Sequence, residues 1–228
     1  MTFKGKTVLV TGAGGSIGSE ICAKLLSLGV EKLKCYDISE YSLYRLSKIV
    51  GDDDRIRYLI GDVRDINRLE RAVVGSDIVI HAAALKHVKF CEFNPDEAYK
   101  TNIQGTQNVV DACRQQNTPH CLLISTDKAV NPTSVMGTTK LLAEKLFLNA
   151  PERSTSQPGK ETTKFTVVRF GNVFGSAGSV IETFYQQIKK GNALTLTHED
   201  ISRYFISTSE AVSLVLDCIP LSEKEIRT

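Results

Sequence analysis

The sequence predicts an α/β protein built on a doubly wound parallel sheet of the Rossmann type. Two observations carry this prediction. Short apolar runs alternate with amphipathic stretches along the chain, and a glycine-rich turn follows the first apolar run. Strict alternation of strands and helices requires right-handed crossovers, so the strands are expected to lie parallel with helices on both faces.

Six apolar runs rich in β-branched residues are predicted to be buried strands, over residues 7–11, 33–37, 56–60, 77–82, 121–125 and 166–170. Helical spacing of apolar residues predicts helices over residues 17–28, 43–50, 69–74, 95–114 and 139–148. The polar residues 151–163 are expected to form an exposed loop. A last helix is predicted after Ser207, because its spacing to Glu210 makes a capping box before an apolar run.

The composition indicates a folded protein that works on a small molecule. Of the 228 residues, 42% are hydrophobic and 24% charged, and the net charge of +2 comes from intermixed signs. We therefore expect neither nucleic acid nor acidic lipid as a partner. No run approaches the roughly 18 apolar residues that a membrane span needs. The 6 cysteines include no C-x-x-C pair, so we expect reduced core residues, no metal site and a cytoplasmic location.

The first predicted strand runs directly into a glycine-rich turn. Gly12, Gly15 and Gly18 form a G-x-x-G-x-x-G pattern, with Ser16 and Ile17 between the last two glycines. The spacing is one residue longer than the usual dinucleotide fingerprint. Even so, a tight turn without Cβ atoms again brings a pyrophosphate against backbone N–H groups at the positive end of a helix. A purely structural turn is the alternative.

Acidic and small residues follow the next predicted strands. Asp37 lies 19 residues after Gly18, the approximate spacing of the acid that binds the adenosine ribose, and an N-cap is its alternative role. Asp62 is placed to accept the adenine amino group. Because parallel strands end at one edge of the sheet, these residues predict a single dinucleotide groove. The expected lining also includes Val63, Ala82, Ala83 and Ala84.

The fifth predicted strand ends in Ser125-Thr126-Asp127-Lys128, and residues 136–140 follow on the next helix. The short-chain dehydrogenase/reductase superfamily has Ser or Thr, and then Tyr-x-x-x-Lys, at these positions. Thr126 and Lys140 match that pattern, whereas Met136 stands in place of the tyrosine. A thioether cannot accept a proton, so this departure argues against an ordinary dehydrogenase.

Blocks along nearly the whole chain resemble the bacterial UDP-N-acetylglucosamine 4,6-dehydratases of surface-polysaccharide and flagellin-sugar synthesis. The blocks cover residues 82–88, 94–98, 125–132, 136–140, 168–173 and 197–205, in the order of that family. Met136 itself resembles the branch whose longer members carry a membrane-anchored front portion.

The resemblance implies an NAD-dependent dehydration. Oxidation of C4 of the sugar by NAD acidifies the C5 proton, the C6 hydroxyl leaves as water, and the hydride returns to C6. The resemblance assigns Asp127 as the acid at the leaving hydroxyl and Lys128, which must be partly neutral, as the base at C5. Thr126 would bind the C4 oxygen, and Lys140 the nicotinamide ribose. The acceptor of the C4 hydroxyl proton stays open between water and Asp127.

The substrate implied by the resemblance is a UDP-N-acetylhexosamine, with UDP-N-acetylglucosamine first. Lys86 and His87 follow the fourth strand and are placed to reach the sugar or the diphosphate, with a structural role for His87 equally open. The resemblance adds Asn102 to the cofactor contacts. The remaining expected substrate contacts are Asn172, Ser179, Val180, Thr197 and Arg203.

Two regions are expected along the chain: an NAD(P)-binding domain over residues 1–170, and a small, partial sugar-nucleotide-binding region over residues 171–228 interleaved with it. A homo-oligomer paired through the helices from Pro95 and Thr139 is expected. Two other functions stay open. A UDP-hexose 4-epimerase shares the fold and C4 oxidation but needs no acid near O6, and a non-catalytic nucleotide-binding scaffold would keep the groove alone.

The residue at the end of the second strand predicts which dinucleotide binds. The charge of Asp37 would repel a 2′-phosphate, and residues 38–40 supply no arginine to compensate. We therefore predict that NAD is bound in preference to NADP. Titration of the protein with each dinucleotide measures this, and tenfold tighter binding of NADP would contradict it.

Overall fold

The computed structural model describes residues 3–150, 163–176, 180–196, 198–219 and 226–227. The strands in these ranges are β1 (Thr7–Thr11), β2 (Lys32–Asp37), β3 (Ile56–Ile60), β4 (Ile78–His81), β5 (His120–Thr126), β6 (Lys164–Phe170), β7 (Asn172–Val173), β8 (Phe205–Ile206) and β9 (Ile226–Arg227). The α-helices are α1 (Ser16–Ser27), α2 (Glu40–Val50), α3 (Ile66–Val73), α4 (Val88–Phe93), α5 (Pro95–Ala98), α6 (Gly105–Gln116), α7 (Val135–Leu148), α8 (Val180–Lys189) and α9 (Thr208–Cys218).

The main sheet is parallel throughout, in the order β3-β2-β1-β4-β5-β6-β9. All six predicted strands lie in it, which confirms the doubly wound fold class. The chain leaves β1 toward one edge of the sheet and returns beside it as β4, so the order of strands reverses between these two. In open α/β sheets this switch point is where ligands bind.

Side chains alternate between two cores on opposite faces of the sheet. Val8 and Val10 of β1 pack in the core beneath α1, α2 and α9, whereas Leu9 packs in the core beneath α3, α6 and α7. All six cysteines are buried, as the sequence predicts for core residues, and none of them forms a disulfide. Among the described residues, helices cover both faces of the sheet, and the strand ends are where its polar groups can meet a ligand.

The prediction of a single regular helix over residues 95–114 is wrong. It begins as α5, continues as a π-helical segment (Tyr99–Gln104) and ends as α6. An extra residue in one turn leaves the apolar spacing on either side almost unchanged, so periodicity does not reveal it. The short helix α4 was not predicted, because it is shorter than the window over which helical spacing can be recognised.

The C-terminal part of the chain joins the main sheet. Ser207 and Glu210 form the predicted capping box of α9, and α9 packs against α1. β7 and β8 pair in parallel as a separate small sheet, and β9 extends the main sheet beside β6. The predicted domain boundary at residue 170 stays a prediction. The loop predicted at 151–163 lies outside the described residues except for Thr163. In the ranges described, no helix has the length and apolar character to cross a membrane.

Candidate active site at the carboxyl edge of the sheet

The glycine turn after β1 leaves the first turn of α1 open to an anion. Gly12 has φ +68°, and a Cβ there would lie 2.7 Å from the backbone nitrogen of Ala83 at the exit of β4. A Cβ on Gly18 would overlap the carbonyl oxygen of Gly12. Gly15 is the N-cap of α1 and provides no side-chain cap to the helix that Ser16 begins. The positive end of α1 therefore faces the groove.

Asp37 joins the glycine turn to the end of β2, and its contact with a ribose stays a prediction. Its Oδ2 accepts the Gly14 N–H at 2.9 Å and its Oδ1 accepts the Ser39 N–H at 2.9 Å. Each carboxylate oxygen retains acceptor capacity for a hydroxyl group. The N-cap of α2 is Ser39, whose hydroxyl accepts the Ser42 N–H, so the alternative role of Asp37 as the N-cap is wrong.

Asp62 and Val63 follow β3 and line the same edge. Arg64 donates from Nε to Asp62 Oδ2 at 2.7 Å and from its backbone N–H to Oδ1 at 2.9 Å. Partial burial alone would raise the pKa of Asp62, but the hydrogen bonds from Arg64 outweigh it and lower that pKa. Arg64 also pairs with Glu97 at 2.6 Å, so Asp62 is held toward α5. Val63 is buried against Gly105.

A buried polar chain, which sequence reasoning missed, connects β1, β4 and α6. His81 Nδ1 lies 2.7 Å from the Thr11 hydroxyl, and its Nε2 lies 3.1 Å from the Thr106 hydroxyl. Thr106 donates to the carbonyl of Asn102 at 2.6 Å, so we assign the imidazole proton to Nε2, with Thr106 as its acceptor. Burial, with a smaller effect of the Lys140 charge, lowers the pKa of His81 to about 3, and the ring is neutral.

Asn102 lies in the π-helical segment and brackets Leu85 beyond Ala82, Ala83 and Ala84. Its Oδ1 accepts the Leu85 N–H at 2.8 Å, and its Nδ2 donates to the Leu85 carbonyl at 3.0 Å. Nδ2 also donates to the hydroxyl of Thr139 at 3.0 Å. Asn102 thus holds the segment that leads from the three alanines to Lys86, and its direct contact with a cofactor stays a prediction.

The turn after β5 assembles the predicted acid and base. Thr126 donates its hydroxyl to Asp127 Oδ1 at 2.9 Å, and the Lys128 ammonium donates to the same oxygen at 3.0 Å. Lys128 also donates to Asn172 Oδ1 at 3.1 Å. The Asp127 and Lys128 side chains are 27% and 35% exposed, so the pair is open to a ligand. The structure therefore brings together four of the predicted site residues.

Met136 is a core residue of the first turn of α7. It is buried with Cys91 of α4 and Ala98 of α5 in a small apolar cluster. The next residue, Gly137, lies so close to the turn that a Cβ would overlap the carbonyl oxygen of Lys128. The apolar burial of Met136 is a packing role, and its predicted place among the catalytic residues stays without support from the geometry.

Lys140 lies one turn further along α7, beneath the end of β5. Its side chain is buried, and its Nζ donates to the carbonyl of Ile124 at 2.7 Å. Burial lowers the pKa of Lys140 to about 8, with Glu144 acting in the opposite direction. A buried amine at the strand edge is thus poised near neutral pH.

Sequence reasoning missed the ion pair between Glu144, which is buried, and Arg169, which is partly buried. Glu144 is fully buried in α7, and Arg169 of β6 donates to it from both Nε and Nη2. The hydrogen bonds to Glu144 raise the pKa of Arg169 further. The spacing of Lys140 and Glu144 on one helix is visible in the sequence and could have drawn attention to Glu144. The pairing of Glu144 with Arg169 of β6 could not be predicted, because the two residues are distant in the sequence.

Lys86 and His87, two further predicted substrate residues, follow Leu85 at the exit of β4. Partial burial lowers the pKa of Lys86, and Glu182 of α8 opposes that shift. His87 is exposed, and its ring packs edge-on against Phe90 with 5.6 Å between centroids.

Further along the chain, Val180 is exposed as the first residue of α8, and Arg203 is exposed and donates to the Ser202 carbonyl at 2.7 Å. Ser179 and Thr197 lie outside the described residues. Contact of these residues with a sugar nucleotide stays a prediction.

Comparison with known proteins shows which family the chain resembles over nearly its whole length. Residues 8–226 match the family model described as polysaccharide biosynthesis protein. An uncharacterized membrane protein of Methanocaldococcus jannaschii is 49% identical over 221 residues, 97% of this chain and 65% of that protein. A UDP-N-acetylglucosamine 4,6-dehydratase (inverting) of Campylobacter jejuni is 43% identical over 216 residues, 94% of this chain and 63% of that protein.

A UDP-glucose 4-epimerase of Rickettsia conorii is 40% identical over 221 residues, 94% of this chain and 62% of that protein. The chain thus spans less than two thirds of the length of these curated relatives. Among solved structures, Pen from Bacillus thuringiensis has a TM-score of 0.91 at 41% identity, covering 98% of this chain and 70% of that chain.

We predict that Gly137→Ala destabilises the protein by about 1–3 kcal/mol, because the added methyl must displace the turn that carries Lys128. Urea unfolding measures the loss in free energy. The matched control is Thr138→Ala, an exposed neighbour in the same helical turn, which should stay within about 0.5 kcal/mol of the parent. Equal stability of Gly137→Ala and the parent would contradict the close contact.

Proposed function

Since the chain belongs to the polysaccharide biosynthesis protein family, we propose that it dehydrates UDP-N-acetylglucosamine to the 4-keto-6-deoxy sugar nucleotide, with NAD as its cofactor. The observation that carries this proposal is the contact of Asp127 with Lys128 at the open end of β5. Elimination of water needs an acid and a base on one sugar, each typically worth about 10²–10⁴ in rate.

The residues at the glycine turn fit a dinucleotide. The N-terminus of α1 lacks a side-chain cap, and a Cβ on Gly12 would collide with the exit of β4, as expected of a backbone cradle for a pyrophosphate. Asp37 would bind the adenosine ribose, Asp62 the adenine and Lys140 the nicotinamide ribose. When bound, NAD supplies the hydride acceptor for C4 and the hydride donor for C6.

Transfer of one proton from Lys128 to Asp127 would let this ion pair serve as both acid and base. Lys128 is the donor and Asp127 the acceptor in this ion pair, and their Nζ and Oδ1 atoms are 3.0 Å apart. Transfer of that proton from Nζ to Oδ1 produces a neutral amine and a neutral carboxylic acid. The amine of Lys128 would then take the C5 proton, and the acid of Asp127 would protonate the C6 hydroxyl as it leaves.

Neighbouring groups hold this pair in place. Thr126 and Lys128 both donate to Oδ1 of Asp127, which fixes the carboxylate beside the ammonium. Asn172 accepts from the Lys128 ammonium and so fixes its position at the end of β5. A cytoplasmic location, a homo-oligomer and the contacts of Lys86 and His87 with the substrate stay predictions.

An epimerase is the second candidate, because a relative named UDP-glucose 4-epimerase is 40% identical. Epimerisation returns the hydride to C4 and requires no proton transfer at C5 or O6. The adjacent acid and base on one turn favour dehydration instead. Met136 stands where the superfamily has its tyrosine, and it is buried among apolar groups. A thioether cannot accept the C4 hydroxyl proton as a tyrosine would.

We predict that the protein, incubated with NAD and UDP-N-acetylglucosamine in deuterated water, forms a 4-keto product lighter by one water. Deuterium should appear at C5, because the base exchanges its proton with solvent. Mass spectrometry and proton NMR measure both. A product of unchanged mass without deuterium at C5 would identify an epimerase, and absence of any turnover would contradict the proposed function.

We predict that Lys128→Ala lowers the rate of product formation by about 10² or more, because the base is lost. Lys24→Ala, an exposed position near the far end of α1, is the control for removing a positive charge and should keep the parent rate. The rate of 4-keto product release measures both variants. A near-normal rate in Lys128→Ala would rule out its role as the base.

A further inference from the structure

The ion pair between Glu144 and Arg169 has no role in the acid–base chemistry described above. Glu144 accepts the Nε–H of Arg169 at 2.9 Å on one oxygen and the Nη2–H on the other. The carboxylate side chain is 1% exposed and the arginine side chain 15% exposed. A bidentate pair at this depth is strong and directional.

Glu144 has two possible cationic partners, Lys140 on its own helix and Arg169 on β6. Lys140 precedes it by four residues on α7, and residues at this spacing face each other on a helix and commonly pair. Lys140 donates instead to the carbonyl of Ile124, at 2.7 Å. Both oxygens of Glu144 are engaged by Arg169. The arginine therefore occupies the carboxylate that would otherwise attract the lysine.

We propose that Arg169 is a positioning residue for Lys140: by occupying Glu144, it leaves the lysine extended to the end of β5 rather than paired on its own helix. Ile124 lies two residues before Thr126, so this extended position carries the ammonium to the edge at which the catalytic turn begins. The inference rests on the proposed function only in treating that edge as the reacting site.

The charges around Lys140 are consistent with this role. Burial lowers the pKa of Lys140 to about 8, and Glu144 alone acts to raise it. On β4, His81 is neutral, and on the turn after β5, Asp127 is paired with Lys128.

At the other end of α7, Glu92 of α4 accepts the Val135 N–H. Loss of the Arg169 charge would therefore leave Glu144 as the main negative group near Lys140. The lysine would then gain a carboxylate partner and hold its proton more firmly.

The first test reads the amine directly and needs no turnover. The full chain is treated with acetic anhydride over a range of pH, and acetylation of Lys140 is measured by peptide mass spectrometry. In Arg169→Met we expect the midpoint of Lys140 acetylation to rise by about one pH unit or more. In the double variant Arg169→Met with Glu144→Gln, the midpoint should return to that of the parent or below it.

Two further variants keep the test decisive if Arg169→Met folds poorly. Arg169→Lys preserves the positive charge and should keep the parent midpoint. Glu144→Gln removes the carboxylate and leaves Arg169, so its midpoint should fall. A merely structural role for the pair predicts no shift in any variant whose thermal unfolding matches that of the parent, and that result would overturn the proposal.

The second test is the rate of 4-keto product formation. At neutral pH, Arg169→Met should be at least about tenfold slower than the parent, and the double variant should recover most of that loss. Equal rates in the single and double variants, with both folded, would overturn the proposal. Absence of turnover in the parent would contradict the proposed function alone, because acetylation still tests the position of Lys140.

Discussion

The parallel pairing of β1 with β4, and of β4 with β5, determines where every polar group of the cleft lies. Thr11 at the end of β1 is in register with His81 at the end of β4, and the two side chains are hydrogen-bonded. Both strands therefore leave the sheet at one level, so that Gly12 comes directly against Ala83. β5 runs three residues beyond the last pair with β4 and carries Thr126 to the same edge. The close approach of Gly12 to Ala83 and the position of the Asp127–Lys128 pair are two consequences of one register.

The buried charges behind this edge are explained better by function than by stability. Removing ions from water is costly, and a buried ion pair contributes little net stability over apolar packing. Lys140 and Glu144 of α7 and Arg169 of β6 nevertheless lie together, each with a hydrogen-bond partner, and His81 of β4 is neutral. Such an arrangement keeps an amine at the cleft with a pKa near 8 while the rest of the interior stays electrically balanced.

Several features were available from local sequence. The six strands, the glycine turn and the capping box at Ser207 follow from short-range spacing, and the structure confirms them. Asp127 and Lys128 are likewise neighbours in the sequence, so their proximity needed no structure. The turn that holds them additionally requires Gly137, a residue on the following helix whose missing side chain accommodates the Lys128 carbonyl.

The sequence by itself determined the order of strands and helices and the residue types at each strand end, because those depend on spacing within about ten neighbouring positions. Only the tertiary structure decided which of those residues work together. Asn172 reaches Lys128 across 44 positions of sequence, and Arg169 reaches Glu144 across 25. Such partners come together because adjacent parallel strands and the helix covering them converge in space, and no local pattern records that convergence.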